Sequence, residues 1–144
     1  MDRLEHISIR VAGFDEMLTG QAEAVLTEAA EMLGRLLAEG VEDSIDLRGL
    51  PLTAADRDWL DGQLGRGEAE IVLQAGGRSL LKETAYPGLW RVVHEDLSGR
   101  VVAEFLETAF VPVILRPDKS DVEKGHESLL LKLETQSRER EDGA

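Results

Sequence analysis

The fold is decided by the stretch EAEIVLQAGGRSLLKE, residues 68–83, in which two alternating segments flank a pair of glycines. Apolar residues occupy every second position from Ala69 to Leu73, which is the period of a strand with one solvated face. Gly76 and Gly77 accept positive φ, as a two-residue hairpin turn requires. The stretch therefore predicts an antiparallel hairpin. In its predicted register, Leu73 or Gln74 lies opposite Arg78 or Ser79.

The segment before this hairpin has a helical period. Apolar residues recur at spacings of three and four from Leu18 to Leu37, with charged residues between them. This pattern predicts an amphipathic helix that ends at Gly40. Ahead of it, residues 4–11 alternate like a short strand that stops at Gly13.

A second helix is predicted after a connecting segment. Residues 44–52 read as an extended linker, because Pro51 keeps the residue before it out of the α region. Thr53 and Asp56 then form a variant of the capping box at the start of the helix. Gly65 is predicted to end it.

More strands follow the hairpin without crossover helices. Residues 89–94 and 100–106 are predicted to form a second antiparallel pair, and residues 110–115 an edge strand that contains Pro112. This order predicts an α+β fold with an antiparallel sheet of four to five strands, packed by two N-terminal helices.

The composition changes after residue 117. Ser120 and Glu123 have the spacing of a capping box and predict a charged C-terminal helix. Residues 138–143 are predicted to be frayed. The sequence therefore predicts one α+β domain over residues 1–117 and a helix with a frayed tail over residues 118–144.

The overall composition excludes several functional classes. The chain has 29 acidic and 16 basic residues and a net charge of −13, which argues against nucleic-acid and anionic-membrane partners. It has no cysteine, which excludes disulfides, thiolate nucleophiles and cysteine-ligated metals. No signal peptide is evident, and no apolar run reaches about 18 residues. These features predict an acidic, cytoplasmic protein without a cofactor.

Familiar catalytic motifs are absent from the sequence. Gly62, Gly65 and Gly67 close a helix and open a strand, whereas a phosphate-binding loop follows a strand and opens a helix. The three histidines lie in separate elements without the spacing of a metal pair. We therefore predict no catalytic residues and no resident metal.

Two alternatives to a non-catalytic protein remain open. Glu68, Glu70 and Glu83 could serve a small carboxylate-using enzyme or a small-molecule-binding domain. Direct handling of iron or nickel would have to use histidine and carboxylate ligands.

Rare residue types concentrate in the stretch KETAYPGLWRV, residues 82–92. One interpretation is a Pro–Gly turn, with Trp90 as a core anchor. The other is that the turn presents Tyr86 and Trp90 to a protein partner, since both types are enriched in binding hot spots. The candidate partner-binding residues are Glu83, Thr84, Tyr86, Pro87, Gly88, Trp90 and Arg91.

Three stretches together resemble a known family. They are IDLRGLPL at 45–52, LGRGE at 64–68 and ETAYPGLWRV at 83–92, and FVPVI at 110–114 fits the same pattern. In order and spacing they resemble the carboxy-terminal conserved region of the HupH/HyaF hydrogenase expression/formation proteins. The resemblance covers about residues 40–116.

The resemblance implies a role and partners. The role is that of a non-catalytic assembly factor or chaperone in the maturation of nickel–iron (NiFe) hydrogenase. The implied partner is a hydrogenase subunit, particularly the iron–sulfur-carrying small subunit, or another maturation protein. The family has no established catalytic residues to transfer to this sequence.

The resemblance also bears on the oligomeric state. Members of the family look like two related segments in tandem, so we predict that a chain with one segment pairs with itself as a homodimer. The C-terminal helix carries an apolar stripe that needs a cover, supplied by a second copy or by its own domain. Its members are Val122, Leu129, Leu130 and Leu133.

Overall fold

The computed structural model describes residues 14–143, which form two compact units divided between Pro112 and Val113. Within the described residues, two helices from residue 21 onward and one antiparallel sheet belong to the first unit, and a long helix belongs to the second. The α+β fold class predicted from the sequence is confirmed. The strand predicted at residues 4–11, with its stop at Gly13, lies outside the described residues.

The first helix, α1 (Gln21–Glu39), is amphipathic and ends at Gly40, as predicted; the φ of Gly40 is 70°. Its buried positions are Ala22, Val25, Ala29, Met32 and Leu36. The predicted stripe is too broad, because Leu18 precedes the helix and Leu37 is exposed on it.

A five-stranded antiparallel sheet completes this unit, in the order β1-β5-β4-β3-β2. The strands are β1 (Asp43–Asp46), β2 (Glu70–Gln74), β3 (Arg78–Glu83), β4 (Leu89–Glu95) and β5 (Val101–Thr108). The hairpin has the predicted register, with Leu73 opposite Ser79 and Gln74 opposite Arg78. Its loop is residues 75–77, one residue longer than the predicted glycine pair.

Two sequence predictions about the sheet are wrong. The segment predicted as a linker supplies β1, which pairs with β5 and places Ile45 opposite Leu106. The segment 110–115 is not a strand: it bends and then forms a short 3-10 helix, Val113–Leu115. The two errors are related, because β1 occupies the edge of β5 and Pro112 has no N–H to donate to a ladder.

The second helix, α2 (Ala54–Leu64), begins and ends where the sequence predicts. The hydroxyl of Thr53 accepts from the Asp56 N–H at 3.0 Å, and the Asp56 carboxylate accepts from the Thr53 N–H at 3.1 Å. This is a complete capping box, and Gly65 is the C-cap.

The sheet has apolar side chains on both faces. On one face, α1 and α2 pack against Ile45, Leu89 and Leu106 to form the main core. Paired residues share a face and neighbours along a strand alternate, so Leu81, Trp90 and Val92 lie on the other face. These three are also buried. We call them the opposite-face core.

The second unit contains the helix α3 (Lys119–Asp142). The predicted capping box is wrong, because the N-cap is Asp118 and not Ser120, and the Asp118 side chain makes no capping hydrogen bond. Helix continues to Asp142, through the tail that the sequence predicted to be frayed. Neither α3 nor any other helix within residues 14–143 has the length and apolar character to span a membrane.

Replacement of Gly77 by valine should destabilise the hairpin. Gly77 has a φ of 139°, and a Cβ there would lie 2.3 Å from the Glu95 carbonyl oxygen. Backbone strain of this kind costs about 1–3 kcal/mol. We expect a lower melting temperature for Gly77→Val by circular dichroism. Gly62→Ala, in open space on α2, is the control. Equal melting temperatures for Gly77→Val and the wild type would contradict this account of the turn.

Candidate functional site

Two of the three family-like stretches meet in space. The Ala85 N–H donates to the Leu64 carbonyl at 2.8 Å, and the Gly67 N–H donates to the Glu83 carbonyl at 2.9 Å. These bonds join the end of α2 to the turn between β3 and β4. The third stretch contributes β1 at the far edge of the sheet and part of the main core.

The close approach at this junction explains one of the glycines. A Cβ on Gly67 would lie 2.5 Å from the Thr84 carbonyl oxygen, a backbone atom that cannot move aside alone. The Glu83 carboxylate also turns toward this loop, where it accepts from the Glu68 N–H at 3.0 Å. Gly67, one of the three glycines that resemble a phosphate loop, therefore serves packing in this structure.

The turn from Thr84 to Leu89 is tightly held. The Leu89 N–H donates to the Tyr86 carbonyl at 3.0 Å, and Gly88 has a φ of 92°, as in a type II turn. The buried Thr84 hydroxyl donates to the Leu89 carbonyl at 2.9 Å and accepts from the Tyr86 N–H at 3.2 Å. The predicted Pro–Gly turn is confirmed, and a side chain from inside the protein fixes it.

The predicted partner-binding residues divide by exposure. Tyr86 and Pro87 are exposed, whereas Thr84 and Trp90 are buried. The Trp90 indole N–H donates to the Ala109 carbonyl at 3.1 Å. Presentation of Trp90 to a partner is therefore wrong, and the core-anchor interpretation holds. A binding role for Glu83, Thr84, Tyr86, Pro87, Gly88 and Arg91 stays a prediction.

Exposed apolar side chains surround the turn. The Ala109 N–H donates to the Gly88 carbonyl at 3.0 Å, which brings the segment after β5 alongside the turn. Gly88 also lies against the side chain of Leu33 on α1. The exposed side chains here are Tyr86, Phe110 and Val111, which we call the turn patch. Their exposed fractions are 49%, 68% and 50%. Exposed apolar groups in one place are typical of interaction sites.

Sequence reasoning found only Tyr86 of this patch. Phe110 and Val111 were assigned to a strand, in which alternate residues would be buried. The signal that could have found Phe110 and Val111 is Pro112, which already argued against a strand.

A charged groove of about 500 Å³ lies on the other side of the junction, between α2 and β3. Its lining includes Asp61, Arg66, Lys82, Glu83 and Arg91. Arg66 has no ion pair with any residue of the described range. The groove therefore offers both signs of charge.

Arg91 connects the groove to a buried carboxylate. Its Nε donates to the Glu104 carboxylate at 3.1 Å, and the same guanidinium also contacts Asp61. Arg57 approaches Glu104 from α2 at 3.4 Å. Burial works to lower the pKa of Arg91, but the hydrogen bond and charge of Glu104, and then of Asp61, outweigh it and raise the pKa. Arg91 is therefore a cation that holds α2 to β4 and β5.

Two of the carboxylates proposed for an enzyme, Glu70 and Glu83, do not form a pair. Glu70 lies opposite Lys82 and Glu83 lies opposite Trp90, so Glu70 and Glu83 lie on opposite faces of the sheet. Within residues 14–143, no group of three or more histidine, aspartate or glutamate side chains is placed to hold a metal ion.

Asp56 fixes the chain before α1 as well as capping α2. Its carboxylate accepts from the Thr19 N–H at 2.9 Å and from the Thr19 hydroxyl at 2.6 Å. The bond from the Thr19 hydroxyl lowers the pKa of Asp56 most, followed by the bond from the Thr19 N–H. Together with the bonds to Thr53, they lower this pKa to about 2, although burial acts to raise it. The ionised form is therefore the form that folding stabilises.

The stability that Asp56 contributes should disappear in acid. Because its pKa in the folded protein is about 2 and its ordinary value is 3.8, the contribution is complete above pH 3.8 and is lost as the pH falls toward 2. We expect Asp56→Asn to be less stable than the wild type at neutral pH and to lose less stability over that acid range. Denaturant unfolding at several pH values measures this. Asp58→Asn, exposed on the same helix, is the control, and parallel pH profiles for Asp56→Asn and the wild type would contradict the prediction.

Comparison with known proteins supports the resemblance seen in the sequence. Residues 19–135 match the family model described as HupH hydrogenase expression protein, C-terminal conserved region. The chain is 29% identical over 116 residues to hydrogenase expression/formation protein HupQ of Azotobacter chroococcum mcd 1, covering 80% of this chain and 40% of that protein. It is 30% identical over 102 residues to HupH of Rhizobium leguminosarum bv. viciae, covering 69% and 33%.

A solved structure is also similar. The hydrogenase expression protein HupH from Thiobacillus denitrificans ATCC 25259 superposes with a TM-score of 0.78 at 40% identity, covering 81% of this chain and 98% of that one. By contrast, the chain spans less than half the length of the curated relatives above. The family match nevertheless includes α1, the whole sheet and most of α3. The chain therefore belongs to the family of the C-terminal conserved region of HupH hydrogenase expression proteins.

Proposed function

We propose that this protein is an accessory factor in the maturation of NiFe hydrogenase. It acts by binding a hydrogenase subunit, with the small subunit as the first candidate, or another maturation protein. The names of its relatives, hydrogenase expression/formation proteins, support the process.

The observation that carries the binding role is the turn patch. Tyr86 is half-exposed on a turn whose backbone is fixed by Thr84. The turn therefore loses little conformational freedom when a partner docks on it. Tyrosine is among the residues enriched in binding hot spots, and Phe110 adds a second exposed ring. A rigid turn that displays apolar groups suits protein recognition better than it suits catalysis.

A non-catalytic mechanism is the second part of the proposal. Two of the carboxylates considered for catalysis, Glu70 and Glu83, lie on opposite faces of the sheet. Arg91 and Glu104 are engaged with each other and with α2, as in a structural cluster. The role we propose needs neither a cofactor nor a reacting group.

The charged groove favours one alternative, a small-molecule-binding domain. Its unpaired Arg66 and the neighbouring Lys82 would attract an anionic ligand. A screen of small anions by thermal shift tests this. A rise in melting temperature that Arg66→Ala and Lys82→Ala each abolish would favour the alternative over a purely protein-binding role.

We further propose that the chain works in the cytoplasm as a homodimer. The longer members of the family look like two related segments in tandem. A homodimer would provide two such segments from two copies of this chain.

Co-expression with tagged hydrogenase subunits tests the binding role. The small subunit, or else the large subunit or a maturation protein, should retain the wild-type chain through purification, whereas Tyr86→Ala should be retained at least tenfold less. Leu97→Ala is the matched control, because Leu97 is an exposed apolar loop residue at the other end of β4. Retention of the wild type by none of these proteins would contradict the proposal, and equal retention of Tyr86→Ala would exclude the turn patch.

A further inference from the structure

Strand β2 is one edge of the sheet, and nothing else in residues 14–143 pairs with its outer side. The hydrogen bonds at its two ends show which backbone groups face β3. The Glu83 N–H donates to the Ala69 carbonyl at 2.9 Å, and the Ala75 N–H donates to the Gly77 carbonyl at 3.0 Å. Because bonding alternates along an antiparallel ladder, the odd-numbered residues face β3.

The even-numbered residues of β2 therefore direct their backbone N–H and C=O groups away from the sheet. They are Glu70, Val72 and Gln74, and their side chains are all exposed. A row of this kind is a template for one more strand.

The order of side chains makes β2 complementary to itself. If a second copy adds its β2 antiparallel across a two-fold axis at Val72, Glu70 of each copy lies opposite Gln74 of the other. Every outward backbone group then has a partner, because the paired positions are the same even-numbered residues. The carboxylate of Glu70 meets an amide and not another charge, and the two Val72 side chains cover each other.

Other self-pairings are less favourable. Centring the axis on Glu70 would bring two carboxylates together, which is destabilising across a strand pair. The opposite edge of the sheet, β1, has Asp43 and Asp46 at its two ends. Antiparallel pairing of β1 with itself in full overlap would place these aspartates opposite each other, so that edge resists self-association.

The same register continues the apolar face of the sheet. Ile71 of one copy lies opposite Leu73 of the other, on the face that carries the opposite-face core. Both side chains are half-buried in the single chain and gain an apolar neighbour across the axis.

We propose that two copies of this chain join through β2, antiparallel and with Val72 on the two-fold axis, to form one continuous ten-stranded sheet. This inference rests on the homodimer proposed above and assigns it a surface and a register. The β2 edges of both copies are then paired in the interface. An exposed edge is a site of uncontrolled aggregation, and this pairing removes it.

Single cysteines test the register cleanly, because the chain has no cysteine of its own. In this arrangement the two Val72 Cα atoms are about 5.5 Å apart, within disulfide range. The two Gln74 Cα atoms are four residues out of register, about 14 Å apart, and cannot be bridged. We expect oxidised Val72→Cys to run as a covalent dimer on non-reducing gels and Gln74→Cys to run as a monomer.

Light scattering distinguishes the proposed β2 interface from the existence of a homodimer. The wild type should give twice the chain mass of 15.8 kDa, and Val72→Lys should give the chain mass. Val102→Lys, at an exposed valine of the interior strand β5, should remain dimeric. A dimeric wild type in which Val72→Cys cross-links no better than Gln74→Cys would overturn this surface and leave the homodimer standing. A wild-type monomer across a tenfold concentration range would overturn both, while the subunit-binding test stays independent.

Discussion

Replacement of Trp90 by alanine should destabilise the protein strongly. The side chain is only 6% exposed and its indole N–H is bonded to the Ala109 carbonyl, so the substitution leaves a cavity and an unpaired acceptor. Truncation of a buried aromatic residue typically costs about 3–5 kcal/mol. Urea unfolding followed by circular dichroism measures the difference in free energy.

Trp90→Phe is the matched control. It retains most of the apolar volume and loses only the bond to Ala109, so we expect a smaller loss than for alanine. A loss below about 1 kcal/mol for Trp90→Ala, typical of a surface position, would contradict the burial of this side chain.

Replacement of Arg91 by alanine should have an effect of similar size. Glu104, only 7% exposed, would keep only the more distant contact to Arg57 at 3.4 Å. Removing one partner of a buried ion pair costs about 3–5 kcal/mol, because the charge that stays buried loses most of its compensation. The same urea unfolding experiment measures it.

A double variant distinguishes a lost ion pair from lost packing. Arg91→Leu with Glu104→Leu removes both charges, and such exchanges are often close to neutral. We expect the double variant to be more stable than Arg91→Ala. Lys82→Ala is the surface control. Lys82 and its partner Glu70 are both exposed, and the Lys82 Nζ lies 3.9 Å from the Glu70 Oε1. A surface pair of this kind is worth less than about 1 kcal/mol. A double variant as unstable as Arg91→Ala would refute the buried-charge explanation.

The parts of the fold that depend on local signals could be predicted from the sequence. The glycine pair and the alternating residues around it gave the β2–β3 register, because hairpin register depends on the turn and the adjacent pleat. Thr53 and Asp56 gave the start of α2 for a similar reason, since a capping box satisfies the first turn with its own residues.

The parts that depend on distant pairing could not be predicted. Strand β1 has only four residues, with an aspartate at each end, and it becomes a strand because β5, far along the chain, offers an open edge. Its intrinsic preference for strand is low. The bond between Thr19 and Asp56 is also remote in sequence and leaves no periodic signal.

The candidate site was predicted only in outline. The turn around Pro87 and Gly88 has a local signature, and so it was found. The exposure of Phe110 and the convergence of Arg91, Glu104 and Asp61 depend on how separate elements pack. Residue type alone could not predict whether Trp90 is buried or exposed, because a tryptophan side chain suits both a core and an interface.

The most direct test of the proposed role is hydrogenase activity in the native host. The gene for this chain is removed, together with any longer relative that could replace it, and the chain is then reintroduced. We predict that activity falls on removal and returns with the wild-type chain and with Leu97→Ala, but not with Tyr86→Ala. The same hydrogenase activity with and without the chain would contradict a role in hydrogenase maturation.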